Sequence, residues 1–243
     1  MGLSMNAKNI AGAILMLIGG NNLAFSARYF YKHPLVEPCG TVCVQVFSYN
    51  EREYIEKCLS SILEQDIIRA YPNRFRLQVF DGGSTDGTID VARDYGFEVI
   101  VLERGKLRAR NYSVVAYPEC WVHVHVDADT FFPSWWLRNV LWHFQYPDVV
   151  AVTTARLYYN PLLMPIMTVF RGFYNFERKV FGSNCAVRHD VFMENLFDTS
   201  YDGKENMVVE EEIRFYERLS RYGRIVYEPT PAFTRTCTRK YLF

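Results

Sequence analysis

From residue 41 onward the hydrophobic positions switch repeatedly between two periods. Thr41-Val42-Cys43-Val44-Gln45-Val46-Phe47 is a nearly continuous apolar, β-branched run bounded by Gly40 and Ser48-Tyr49-Asn50, the pattern of a buried strand. Ile55, Cys58, Leu59, Ile62 and Leu63 then recur at helical spacing on one face. The alternation continues with a strand over 75–80, a Gly-rich turn, a helix over 88–95 and a strand over 97–102. A helix over 108–116, a strand over 121–126, a helix over 135–144 and a strand over 149–154 follow. Glu210-Glu211-Glu212 reads as the first turn of a further helix with Ile213, Tyr216 and Leu219 facing inward, because acidic residues there complement the helix dipole.

Strands alternating with helices predict an α/β fold with a mostly parallel central sheet covered on both faces. Ligands of such sheets bind beyond the carboxyl ends of the strands. Residues 48–51, 81–88 and 127–130 each directly follow a strand, which predicts that they share one rim. His123 and His125 alternate with Val122, Val124 and Val126 and so point to one sheet face. Packing beneath a helix with satisfied nitrogens accounts for them better than a two-histidine metal site.

The chain before residue 39 follows a different pattern. Residues 10–18 form an unbroken apolar-plus-Gly run, too short to span a bilayer alone, whereas 10–30 is long enough but carries Asn21 and Asn22. Residues 1–38 are therefore an N-terminal apolar segment and linker, a candidate membrane anchor, and 39–243 form one domain. If the segment spans, Arg28 and Lys32 place the domain on the cytoplasmic face. An interfacial anchor or a helix packed on the domain are the alternatives, and a cleaved signal ranks last because no A-x-A-like site follows.

Composition narrows the function. With 243 residues, 49% hydrophobic and 16% aromatic, the chain can build one substantial core. Lys plus Arg and Asp plus Glu number 27 each, so no net positive charge is available for nucleic acid, although Arg104, Lys106, Arg108 and Arg110 suit a smaller anion. The six cysteines lack any C-x-x-C pair, which excludes zinc ribbons and redox motifs. Most read as buried small hydrophobes, which fits a reduced compartment, and the even count leaves disulfides as the alternative.

The chemistry concentrates at the predicted rim. Asp81-Gly82-Gly83-Ser84-Thr85-Asp86-Gly87-Thr88 permits tight turning and close backbone approach, and either Thr85 or Asp86 can cap the helix. It is either an ordinary βα turn or a nucleotide contact in which Asp81 accepts hydrogen bonds from a base or ribose. Asp127-Ala128-Asp129 ends a very apolar strand, where two carboxylates repel unless a cation or hydrogen bonds offset them. Mg²⁺ is commonly shared between one or two carboxylates and substrate phosphates. The alternative is a solvated acidic loop, with Trp135 and Trp136 nearby favouring a pocket. A carboxylate of 210–212 can serve as a general base.

These segments together resemble the inverting glycosyltransferase family 2, with its Rossmann-like, three-layer GT-A fold. Ser48-Tyr49-Asn50-Glu51 with residues 58–65 resembles the family's opening segment, and 81–88 its DGGSTDGT. Ala109-Arg110-Asn111 resembles its ARN, and Asp127-Ala128-Asp129 its DXD. Residues 182–188 are similar to an acceptor-side segment, and 211–219 to the ED segment, followed by Gly223 and Pro229. The resemblance implies nucleotide contacts at Asn50, Glu51, Asp81, Arg110 and Asp127, and a Mn²⁺ or Mg²⁺ ion on Asp129 with Asp127. It also implies a base at Glu212, where the family usually has aspartate, with Glu211 as rival. The implied donor is a UDP- or GDP-sugar, and the acceptor a glycan, lipid or protein.

Because the Q-x-x-R-W motif of processive synthases is absent and the chain stops at Phe243, non-processive transfer of one sugar is expected. A polyprenyl-phosphate transferase is the alternative, since 10–30 and the amphipathic 162–181 suit a lipid acceptor. A sugar-1-phosphate nucleotidyltransferase or a non-catalytic protein of this fold are more remote. The domain is expected in the cytoplasm or on the cytoplasmic face of a membrane.

Overall fold

A computed structural model describes residues 31–158 and 184–234. The expectations for 10–30 and 162–181 lie outside these residues. No helix among the described residues is long and apolar enough to cross a membrane.

The elements run β1 (Thr41–Ser48), α1 (Ile55–Leu63), α2 (Asp66–Ala70), β2 (Phe75–Asp81), α3 (Thr88–Asp94), β3 (Glu98–Val101), α4 (Lys106–Val115) and β4 (Cys120–Asp127). After these come β5 (Thr130–Phe131), α5 (Trp136–Trp142), β6 (Val149–Tyr158), β7 (Cys185–Arg188), α6 (His189–Met193), α7 (Glu205–Leu219) and β8 (Arg224–Thr234). One sheet has the order β3-β2-β1-β4-β7-β6-β8-β5. Its β3-β2-β1-β4 half is parallel, as the βαβ alternation requires. β7 is antiparallel to both β4 and β6, and β5 is antiparallel to β8, while β6 and β8 pair in parallel. The pattern up to residue 154 gave no sign of β5, β7 or β8, whose pairing is decided by distant partners.

Strand alternation divides the core into two clusters. Val42, Val44, Val46, Val122, Val124 and Val126 face one way and pack with Ile55, Leu59, Ala92 and Leu137. Leu107, Val114, Ala151, Val187, Phe192, Phe215 and Leu219 form the other cluster. The sheet therefore lies between two helical layers, a three-layer α/β arrangement.

Under α4 the sheet face is polar and internally satisfied. Gln45 Nε2 donates to Gln78 Oε1 (3.1 Å) and to the Ser113 carbonyl (2.8 Å), and Gln78 Nε2 donates to Glu98 (2.9 Å). His123 sits between Gln45 Oε1 (3.2 Å) and His189 Nδ1 (3.0 Å), and His125 Nε2 lies 3.3 Å from Ser113 Oγ. Burial, with His189 adding, pushes His123 down to about 3. Burial also pulls His125 well below its ordinary value, with Arg110 and His123 contributing.

Both imidazoles are thus neutral in the native state, whereas the unfolded chain takes up protons below about pH 6.5. Their contribution is full above that value and is lost as pH falls. Unfolding free energy from urea titrations should drop between pH 6.5 and 5.5 by about 1 kcal/mol per buried histidine, and by close to about 1.4 kcal/mol over the next pH unit. A His123→Gln variant with an unchanged slope would contradict this assignment.

Three sequence expectations change. The helix α7 starts at Glu205, so Glu210–Glu212 lie in its middle and the dipole argument does not apply to them. Val208 packs on the second cluster and carries the helix further toward its N-terminus. The buried stripe of α7 runs through Glu211, Glu212, Phe215 and Leu219, with Ile213 and Tyr216 only partly buried, and Leu63 on α1 is exposed. Cys43 and Cys120 are not reduced hydrophobes but form a disulfide between β1 and β4, with a Cα–Cα distance of 5.9 Å. The pair is 77 residues apart in sequence, and only strand pairing brings it within bonding range. Cys39, Cys58 and Cys185 are not in disulfides.

Candidate active site

Parallel register puts the strand ends level: Ser48 pairs with Asp81, and Phe47 with Asp127. The three strand-end segments therefore share one rim. Two of the loops are laced together. Asn50 takes a left-handed backbone (φ 52°), which asparagine tolerates better than most residues. Its N–H donates to Ser84 Oγ (2.7 Å), and its Oδ1 accepts from the Thr85 N–H (3.0 Å). The Glu51 N–H donates to Thr88 Oγ1 (2.9 Å), and Asp86 accepts from the N–H groups of Arg52 and Thr88. Asp86, rather than Thr85, thus serves the start of α3.

Asp81 is buried and already occupied. It accepts from Ser48 Oγ (2.7 Å), Ser84 Oγ (2.7 Å) and the Ser84 N–H (2.6 Å). Three of roughly four acceptor positions on a carboxylate are used, so Asp81 builds the turn before it can contact any ligand.

The third segment meets a cationic helix. Arg110 on α4 is fully buried, with Nη1 2.8 Å from Glu212 Oε1 and Nη2 3.5 Å from Asp127 Oδ1. Burial works to lower the Arg110 pKa, but Glu212 and Asp127 outweigh it and the net direction is upward. Lys106 lies 3.3 Å from Asp127 Oδ2. One guanidinium therefore ties the acidic turn after β4 to the buried carboxylate of α7. Asp129 is partly buried and accepts from Thr130 Oγ1 (3.3 Å). Asp127 and Asp129 offer only oxygen donors at a solvent-reachable turn, a set that suits Mg²⁺ or Mn²⁺ shared with phosphate oxygens. Beneath them, burial and then the charges of Asp129 and Asp127 hold the Cys58 thiol protonated.

The two candidate bases diverge. Glu212 faces Arg110, whereas Glu211 accepts from Arg218 (2.7 Å) and from the Asp198 N–H (2.9 Å). Trp136 is a core side chain packed against Phe132 at a tilt of 36° rather than a pocket wall, and Trp135 lies under Lys32. A cleft of 470 Å³ lined by Glu53, Lys57, Ser60, Tyr95 and Phe131 includes none of the candidate carboxylates.

Sequence reading missed one participant and named another only as part of a segment. Asp202 accepts from the N–H groups of Leu107 (2.8 Å) and Arg108 (2.9 Å), and so caps the helix that carries Arg110 from 95 residues away. Nothing in the local sequence signals that contact. Asn184, in the 182–188 segment and just before β7, has φ 57°, is buried, and has no partner among the described residues for its amide nitrogen or oxygen. Its neighbour Cys185 pairs with His125 on β4, so the amide lies toward the rim end of the sheet.

The glycosyl transferase family 2 model matches residues 43–203. The chain belongs to that family. Over 77 residues it is 32% identical to a dolichyl N-acetyl-glucosaminyl phosphate diacetamido-dideoxy-glucuronosyltransferase of Methanococcus voltae, which covers 30% of this chain and 23% of that protein. The chain spans about a quarter of the length of the curated relatives it matches. In fold it is similar to a mannosyltransferase from Pyrobaculum calidifontis solved with GDP-Man and Mn²⁺ (TM-score 0.64, 23% identity, 96% of this chain and 69% of that one). It is also similar to glucosyl-3-phosphoglycerate synthase of Mycobacterium tuberculosis, solved with Mn²⁺, UDP-glucose and phosphoglyceric acid (TM-score 0.60, 18% identity, 89% and 75%). The fold is thus the GT-A type of Rossmann-like α/β architecture.

Proposed function

We propose that this chain transfers one sugar from a UDP- or GDP-sugar to an acceptor hydroxyl, with inversion and with help from a divalent cation. The observation that carries this reading is Arg110 bridging Asp127 and Glu212, which sets a base candidate beside a diphosphate-binding turn. Two of the structurally similar enzymes were solved with nucleotide-sugars and Mn²⁺, which supports the same ligands here.

In this reading Asn50, Glu51 and the 81–88 turn hold the nucleoside, with Asp81 acting largely through the turn it builds. Lys106 and Arg110 attract the diphosphate. Asp129 and Asp127 would hold the cation, whose chemistry is to neutralise charge on the departing nucleoside diphosphate. Glu212 accepts the acceptor's proton as its oxygen attacks the anomeric carbon from the face opposite the leaving group. The carbon–phosphate-oxygen bond breaks, and its electron pair leaves with the nucleoside diphosphate. The amide of Asn184, without a partner among the described residues, is suited to a sugar hydroxyl, since a polar ligand would meet its hydrogen-bonding needs.

The first test is product analysis. Nucleoside diphosphate is the expected product, and pyrophosphate would instead indicate a nucleotidyltransferase. In calorimetry, Asp129→Ala should lose the Mn²⁺-dependent part of nucleotide affinity, because a direct ligand is deleted. Unchanged Mn²⁺-dependent affinity would remove Asp129 from the metal site.

A further inference from the structure

One side-chain group joins the segment before β1, the turn that follows α5, and β8, away from the ends of β1, β2 and β4. The β6–β8 pairing shifts register so that Thr154 faces Glu228 but Ala155 faces Pro231. Pro229 and Thr230 are the extra residues of a bulge, where a proline without an N–H is tolerated. Glu228 is buried at this bulge, and its Oε1 accepts from the Thr230 N–H (3.0 Å) and Thr230 Oγ1 (2.6 Å). Its other oxygen faces two imidazoles: His143 Nε2 at 2.7 Å and His33 Nε2 at 3.5 Å.

The His33 ring is held in place. Its backbone N–H donates to Asn139 Oδ1 (2.9 Å), and the ring stacks on Trp142 with centroids 4.0 Å apart and planes within 9°. Asn139 Nδ2 donates in turn to Thr230 Oγ1 and to the Tyr31 carbonyl. One ligand atom from each of His33, His143 and Glu228 lies within 4.8 Å of the others, and no other such group of three converges among the described residues.

We propose that His33, His143 and Glu228 form a second metal site that takes a zinc-class divalent ion, with water completing the coordination. Imidazole nitrogens suit Zn²⁺ rather than Mg²⁺ or Ca²⁺, so this donor set differs in kind from the all-oxygen turn at Asp127 and Asp129. The His33–Glu228 separation of 3.5 Å is long for a hydrogen bond. It is near the edge of about 3.3 Å of a tetrahedron with ligand bonds of about 2.0–2.1 Å. Side-chain rotations of about an ångström would bring the other two edges to the same length. Thr230 holds the non-ligating oxygen of Glu228, the kind of outer contact that orients a metal-binding carboxylate.

Charge points the same way, since a divalent cation would neutralise the carboxylate of Glu228, which is buried among these groups. The cation would also fasten residues 31–33, which lead toward β1, to the turn that follows α5 and to β8.

This inference is independent of the sugar-transfer reading. To keep the two apart, Zn²⁺ alone is titrated into the chelator-treated full chain carrying Asp129→Ala. One tight equivalent should bind, raise the melting temperature, and give the visible absorption of four-coordinate Co²⁺ when cobalt replaces zinc. Adding His33→Ala or His143→Gln should weaken binding at least about 100-fold, since loss of outer-shell contacts alone costs about 10–100-fold. His33→Ala alters a segment outside the helices and strands and so tests the site without disturbing the sheet. Absence of a tight equivalent in the Asp129→Ala chain would overturn the proposal. So would affinity that survives both histidine substitutions.

Discussion

Replacing Glu212 by Gln should lower the rate of sugar transfer by about 100- to 10,000-fold, the usual contribution of a positioned general base. Nucleotide affinity should stay close to that of the parent. The amide matches the carboxylate in size and keeps an oxygen to accept from Arg110 Nη1, which lies 2.8 Å away, but it has no basic oxygen to take a proton from the acceptor. Single-turnover measurements with saturating nucleotide-sugar separate this loss from any effect on product release. Glu211→Gln is the informative control. Its carboxylate is committed to Arg218 and the Asp198 N–H, so that variant should lose stability while keeping its chemical step. Near-normal transfer by Glu212→Gln would move the base elsewhere.

Arg110→Ala should destabilise the fold by about 3–5 kcal/mol, the cost of leaving one partner of a buried ion pair uncompensated. Arg110 has no exposure, and Glu212 is 5% exposed, so water cannot replace the lost guanidinium without rearrangement. The planar head also lies over the rings of Phe47 and Phe197, with the guanidinium carbon 5.7 and 5.9 Å from the ring centroids. A double-mutant cycle isolates the pair. Arg110→Ala combined with Glu212→Ala should be less destabilised than the sum of the single variants, because the second change removes the stranded charge. Additive free energies from denaturant unfolding would mean that packing, not pairing, accounts for the effect. The same variant should transfer sugar poorly even where folded, since both Asp127 and Glu212 lose the group that bridges them.

The periodicity of 41–154 was enough to place β1 to β4, the helices α1, α3 and α4 and the rim at the strands' carboxyl ends, because strand and helix periods are local properties of the side chains. The five-residue α2 was too short to show a period. The glycines and the Asn50 position were equally legible as turns. What the local pattern could not supply was anything decided by a distant partner. β7 and β8 are short or irregular runs whose strand character depends on β4 and β6. α7 begins five residues before the acidic run that looked like its start.

The acidic turn at Asp127 and Asp129 was visible in the sequence as two like charges at a strand end in need of an offset. Family resemblance pointed to Glu212 as base with Glu211 as rival, but adjacent residues on a helix differ by about 100° in direction, and composition does not say which faces the rim. The tertiary structure separates them, because Arg218 and Asp198 engage one and Arg110 the other. The Cys43–Cys120 bond, the Asp202 cap on α4 and the His33–His143–Glu228 group have the same origin. Each joins residues tens to nearly two hundred positions apart, and chain folding, not local sequence, brings their side chains within a few ångströms.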